Sequence, residues 1–330
     1  MYTWDDDWLA GDVEAALDPE LPIVDPHHHL WDHERSRYLL EDLQADTASG
    51  HRVEATVFVE CMWGYRRTGP EHLRPVGETE TVAAIAELSG ASGSEIRGIV
   101  GFADLTLGDA VVDVLEAHLH AGRGRFRGVR HATAYDADPR IRRTHTRPAP
   151  GLMADPEYRR GVEQLARLGL SFDAWLYHPQ IPELTALARA VPECTFVLDH
   201  LGGPLGVGPY EGARGETLAR WRLDMAELAA CPNVNVKLGG IGMVIFGLGF
   251  EQQVRPPSSD DLVDAWGGPI ISVIEQFGPD RCMFESNFPV DRASVSYVTL
   301  WNAFKKISDD ARPDERAALF HGTASRVYRL

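Results

Sequence analysis

A single-domain (β/α)8 TIM barrel, with long loops over its catalytic face, is the fold predicted by three observations. Eight short apolar runs alternate along the chain with longer amphipathic stretches. The runs are often β-branched and too short for helices, as parallel strands buried on both faces are. Polar and titratable residues follow most of the runs, and in this architecture the carboxyl ends of the strands surround the active site. The length of 330 residues suits one such barrel, which typically spans ~250 residues and can exceed 400.

Taken in order, the predicted strands are 21–25, 53–60, 96–103, 126–131, 170–177, 195–199, 234–238 and 281–285. Residues 1–20 precede the first as an N-terminal extension, and 21–330 form the barrel. Between strands, 110–120 places Val111, Val114, Leu115 and Leu119 on one helical face. Asp155 before Pro156 predicts a capped helix over 156–168. A further helix over 216–230 is stopped by Pro232. The segments 132–154 and 239–268 are long and rich in Pro, Gly and Arg or Asp. Such insertions read as lids or pocket walls.

Charge narrows the function. Thirty-two basic against 49 acidic residues leave −17, which disfavours nonspecific binding to nucleic acid or an anionic membrane. Cys61, Cys194, Cys231 and Cys282 contain no CxxC pair, so neither a thiolate zinc knuckle nor a disulfide framework is indicated. The opening MYTWDDDWLAGD is acidic where a secretory signal is basic and then apolar. No apolar run approaches the ~20 residues of a membrane span. The expectation is a cytoplasmic protein acting on a small molecule, with monomer and homodimer both compatible with the acidic surface.

The strand ends carry the chemistry. Strand one runs into Asp25-Pro26-His27-His28-His29. Residues two apart on an extended segment point the same way, so His27 and His29 converge while His28 faces away. Two convergent imidazoles begin a metal site that needs one or two further ligands, and His178 and His200 are candidates. Arg130 and Lys237 are strand-end cations able to bind a carboxylate or an oxyanion; salt bridges to Asp25, Glu60 or Asp199 are the alternative. Trp31, Trp63 and Tyr65 suit the wall of a pocket for a flat or cyclic substrate, whereas Trp175 and Tyr177 are expected in barrel packing.

In this order and spacing, IVDPHHHLWD, GVRH, LSFDAWLYHPQ, VLDHLGGP, NVKLGG and FESNFPVD resemble the amidohydrolase superfamily, in its amidohydrolase-2 branch of lactonases and related hydrolases. The resemblance covers residues 21–330. It implies a barrel with His27, His29, His178 and His200 around one site. It also implies either one divalent metal, zinc or manganese, on His27, His29 and His200, or metal-independent catalysis. The activity it implies is opening of a small, carboxylated lactone or a similar cyclic ester or amide. Decarboxylation of an aromatic or unsaturated acid, and a non-catalytic binding barrel, are the alternatives. One position departs from the family's pattern: Asn287 in Ser286-Asn287-Phe288-Pro289 stands where an aspartate is usual. Asparagine cannot act as a general base, which leaves Glu285, Asp291, His200 and Glu60 as candidate proton acceptors.

Overall fold

The computed structural model describes residues 3–11, 14–33, 36–90 and 93–330. Eight strands pair in parallel and in sequential order: β1 (Ile23–His28), β2 (Val53–Val59), β3 (Glu95–Gly101), β4 (Phe126–Val129), β5 (Ser171–Ala174), β6 (Thr195–Leu198), β7 (Val234–Leu238) and β8 (Cys282–Phe284). The first and last strands meet where His29 N donates to Phe288 O (2.8 Å) and Asn287 N donates to His27 O (2.9 Å). The sheet is thus a nearly closed (β/α)8 barrel. β1 continues through Pro26 because a register shift between Asp25 and His28 takes the residue without an N–H out of the ladder. A short antiparallel hairpin, Trp31–His33 with Ser36–Tyr38, follows it.

The barrel helices are α1 (Leu40–Thr47), α2 (Val76–Ser89), α3 (Val112–Ala121), α4 (Pro156–Arg167), α5 (Ile181–Ala190), α6 (Arg214–Ala229), α7 (Ser259–Phe277) and α8 (Tyr297–Ile307). Asp155 caps α4 as the sequence predicts, accepting from Glu157 N (2.8 Å) and Tyr158 N (3.1 Å). Segment 239–268 is shorter as a loop than expected. Ser258 and Asp261 form a capping box, so α7 takes over at residue 259.

Strand alternation sorts the side chains. Phe58, Ile99, Phe172, Leu198, Val236 and Phe284 face the helices. Val24, Ala55, Val57, Val59, Val100, Val197 and Met283 share an interior cluster with Ala324, Val327 and Tyr328 of the C-terminal helix Thr323–Tyr328. That helix plugs the barrel on the side away from the strand carboxyl ends. Above this apolar floor the inward positions turn polar, beginning with Asp173 and Lys237. No helix among the described residues is long and apolar enough to cross a membrane.

Candidate active site

The strand carboxyl ends open into a cavity of about 270 Å³. His29, Trp31, Glu60, Arg130, His200 and Asn287 line it. Both long loops contribute as wall-forming segments should: Arg142, Arg143, Thr144 and His145 from 132–154, and Met243 and Ile245 from the loop after β7. Trp175 and Tyr177 correct the sequence expectation, since both line the cavity rather than only packing the barrel. Trp175 leaves the ladder after Ala174 and stands edge-on to His200, with ring centroids 4.9 Å apart.

Three imidazoles gather at the floor, each anchored through Nδ1. His29 Nδ1 lies 2.7 Å from Val59 O, His200 Nδ1 lies 2.7 Å from Glu285 Oε1, and His27 Nδ1 lies 2.8 Å from Glu285 Oε2. These acceptors assign the proton to Nδ1 and leave Nε2 as the free lone pair. His27 Nε2 and His29 Nε2 are 3.3 Å apart. Two lone pairs facing at that distance call for a proton donor or a cation, and Arg130 Nη1 stands 3.4 Å from His27 Nε2. His28 faces away, as the spacing predicts, with Nε2 3.0 Å from Thr56 Oγ1.

Beneath the histidines lies a fully buried ion cluster. Lys237 Nζ contacts Asp173 Oδ2 (2.8 Å), Asp199 Oδ1 (3.0 Å) and His27 Nδ1 (3.2 Å). Burial works against its charge, but Asp173, Asp199 and Glu285 outweigh burial and raise the Lys237 pKa above the usual lysine range. Burial likewise opposes ionisation of Asp199, yet Lys237 and His27 hold its carboxyl well below the ordinary value. Glu285 is held down to about 2 in spite of burial by its contacts with His200 and His27. Burial lowers the pKa of His200, which favours its neutral form, and lowers that of His29 well below the usual histidine value. Arg130 spans Glu60 (Nε to Oε1, 2.8 Å) and Asp199 (Nη1 to Oδ2, 3.6 Å).

His27, Asp199 and His200 can hold a metal ion, with ligand atoms all within 4.8 Å of one another. Two further features fit a cation. Asp199 is fully buried beside Lys237 and Arg130, and among the described residues its Oδ2 has no cation nearer than Arg130 Nη1 at 3.6 Å. The four carboxylates of Glu60, Asp173, Asp199 and Glu285 face two fixed cations, Arg130 and Lys237, and the imidazoles of His27, His145 and His200, a donor set rich in anionic oxygen. Asp199 was expected from sequence only as an ion-pair partner; its place beside His200 in VLDH is the signal that could have marked it.

Other candidates lie elsewhere. His178 is not on the cavity wall; its Nδ1 accepts from Leu205 N (3.2 Å) and its ring meets Tyr210. Lys237 is sealed under the floor, and Glu285 sits behind His27 and His200. Trp63 and Tyr65 are outside the wall, where Trp63 N donates to Glu78 Oε1 (2.8 Å). Asp291 is buried, accepting from Gly242 N and Asn287 Nδ2 (both 2.8 Å). Burial raises its pKa well above the usual carboxylate value, and it stands off the cavity wall behind Asn287.

Two glycines make room for the His200–Glu285 pair. A Cβ on Gly239 would meet Glu285 Cγ at 2.3 Å, and one on Gly240 would meet His200 Nδ1 at 2.7 Å. Residues 24–330 match the model of the amidohydrolase family, Amidohydro_2. The chain belongs to that family. An uncharacterized protein, y4mH of Sinorhizobium fredii, is 34% identical to it over 94% of this chain and 99% of its own length. An L-fucono-1,5-lactonase of Burkholderia multivorans is 26% identical, covering 93% of this chain and 96% of its own. Among solved structures, an amidohydrolase from Burkholderia multivorans crystallised with bound zinc has a TM-score of 0.70 and 26% identity. The match covers 93% of this chain and 99% of that one.

Proposed function

We propose that this amidohydrolase opens a small lactone by hydrolysis, with His200 as the base that activates water. The observation that carries the reading is the buried Glu285 carboxylate, which orients both His27 and His200 while His200 faces the cavity. Relatives named L-fucono-1,5-lactonase, aligned over 93% of this chain, support the substrate class. A ring seated against Trp31, Trp175 and Tyr177 would direct its carbonyl to the floor, where Arg130 stabilises the developing oxyanion. His200 Nε2 accepts the proton of water, Glu285 stabilises the resulting imidazolium, and the same proton passes to the ring oxygen as it leaves.

The site also suits a divalent cation, which His27, Asp199 and His200 would hold. When bound there it supplies Lewis acidity to the carbonyl and acidifies water. His200 cannot give its free nitrogen to a cation and to a proton at once. With His200 ligating, Glu60 Oε2 remains as acceptor, being on the cavity wall, buried and without a hydrogen bond.

Ring opening of five- and six-membered sugar lactones, followed by base uptake at constant pH, tests the reading. Glu285→Gln is expected to lower kcat about 10²-fold and His200→Ala about 10²–10⁴-fold, with KM little changed. Retention of most of kcat in both variants would remove the pair from the chemistry. Activity that survives chelation supports His200 as the base; loss on chelation and recovery with zinc, together with loss of kcat in Glu60→Gln, supports Glu60 in that role.

A further inference from the structure

We infer that Glu60 and His145 form a proton outlet, through which the proton released by ring opening passes from the cavity to solvent. This role rests on the lactone-opening reading and adds to it the fate of one proton. Water brings two protons to the carbonyl. One ends on the hydroxyl formed from the ring oxygen. The other is held by the new carboxylic acid, whose O–H bond breaks to give the carboxylate stable near neutral pH. Its acceptor has to be a base on the cavity wall with an onward path, because a buried proton charge without a partner is costly.

Among the described residues Glu60 is the one carboxylate on that wall. Arg130 Nε holds its Oε1 at 2.8 Å. Its Oε2 makes no hydrogen bond and faces His145 Nε2 at 3.4 Å. A small movement of the ring closes that gap to a hydrogen bond. The His145 side chain is 24% exposed against 0% for Glu60, so the pair joins a sealed oxygen to a ring that reaches water. The ring is also held in place. Thr144 Oγ1 donates to Thr146 Oγ1 (2.7 Å), which donates to Ala132 O (2.6 Å), and Phe102 meets the imidazole with centroids 5.6 Å apart. An imidazole accepts a proton at one nitrogen and releases one from the other. The floor histidines offer no such path, since His27 and His200 turn Nδ1 to buried Glu285 and His29 turns Nδ1 to Val59 O. The proton passes from the product acid to Glu60 Oε2 and then to His145 Nε2. His145 Nδ1 gives a proton to water or a buffer base, which leaves Glu60 and His145 as they began.

Turnover followed by product chromatography, in minimal buffer and again with added imidazole at equal pH and ionic strength, tests the outlet. In minimal buffer His145→Ala is expected to lose about ten- to hundredfold in kcat with KM little changed. Added imidazole should restore most of that loss and leave the wild type unaffected. His145→Gln, which fills the space without supplying a base, should show the same loss. Across substituted imidazoles and pyridines the recovery should follow basicity rather than size, which separates proton transfer from the refilling of a gap. Wild-type kcat for His145→Ala in minimal buffer, or a loss that no added base relieves, would overturn the outlet. Decarboxylation, by contrast, takes up a proton. If the wild type releases carbon dioxide and His145→Ala is rescued by the acid form of the added buffer, the Glu60–His145 path stands and only the reaction class fails.

Discussion

His200 occupies a backbone conformation that side chains rarely adopt. Its φ is 53°, and Leu201, Gly202 and Gly203 follow at 56°, 68° and 57°. Left-handed geometry costs a non-glycine residue roughly 1–2 kcal/mol, and such strain gathers at functional sites. Here it turns His200 back so that its N–H (3.2 Å) and Nδ1 both meet Glu285 Oε1. Asn287 is left-handed too, at φ 56°, a region that asparagine and aspartate tolerate better than most residues. Restoring an aspartate there would put a second carboxyl at the 2.8 Å position now filled by the Asn287 amide against Asp291. Two carboxyls so close must share a proton. Asn287→Asp is therefore expected to destabilise the fold by ~1–3 kcal/mol in urea denaturation and to bring no gain in hydrolysis. A tenfold rise in kcat would contradict this assignment.

At the scale of elements, the segment after β2 hangs from the first turn of α2. Glu78 Oε1 accepts from Cys61 N (3.0 Å) and Trp63 N (2.8 Å), which positions the stretch that brings Glu60, Cys61 and Met62 to the cavity. Burial, reinforced by Glu60, raises the Glu78 pKa to about 8. The sign follows directly. The folded state keeps this proton up to about pH 8, whereas an unfolded chain releases it near ~4.3. Stability from this group is thus full at low pH and lost as pH rises through the folded value. Urea midpoints at pH 5, 7 and 9 should fall more steeply for the wild type than for Glu78→Gln, which keeps the acceptor without the charge. Parallel profiles would show that Glu78 titrates normally. The strands and helices that frame this contact were legible in the sequence, because apolar periodicity and capping residues are local signals. The hanging loop was not. Trp63 and Tyr65 look like pocket walls by composition, but a tertiary contact from α2 sets the path of their backbone.

Across the whole molecule, the barrel and its family could be read from motifs spread over residues 21–330, because strand ends in sequential order must converge at one mouth. His27 and His29 were legible through their spacing of two. Distance information was missing for the rest. Nothing local distinguishes Lys237, sealed by the Tyr328 plug, from Arg130, which reaches the cavity. Nor does it reveal that Arg143 and His145 fold back over the histidines. The molecule that results joins a rigid buried ion cluster, a Glu285-oriented pair of histidines and a cationic loop on an otherwise acidic protein. In the proposed reading, each part serves attack of water on a ring carbonyl. Turnover in ¹⁸O-labelled water, with products analysed by mass spectrometry, tests that claim most directly. One labelled oxygen in the newly formed carboxylate, with no carbon dioxide released, is the predicted result. Carbon dioxide release, with product carrying no label, would contradict hydrolysis and make the enzyme a lyase.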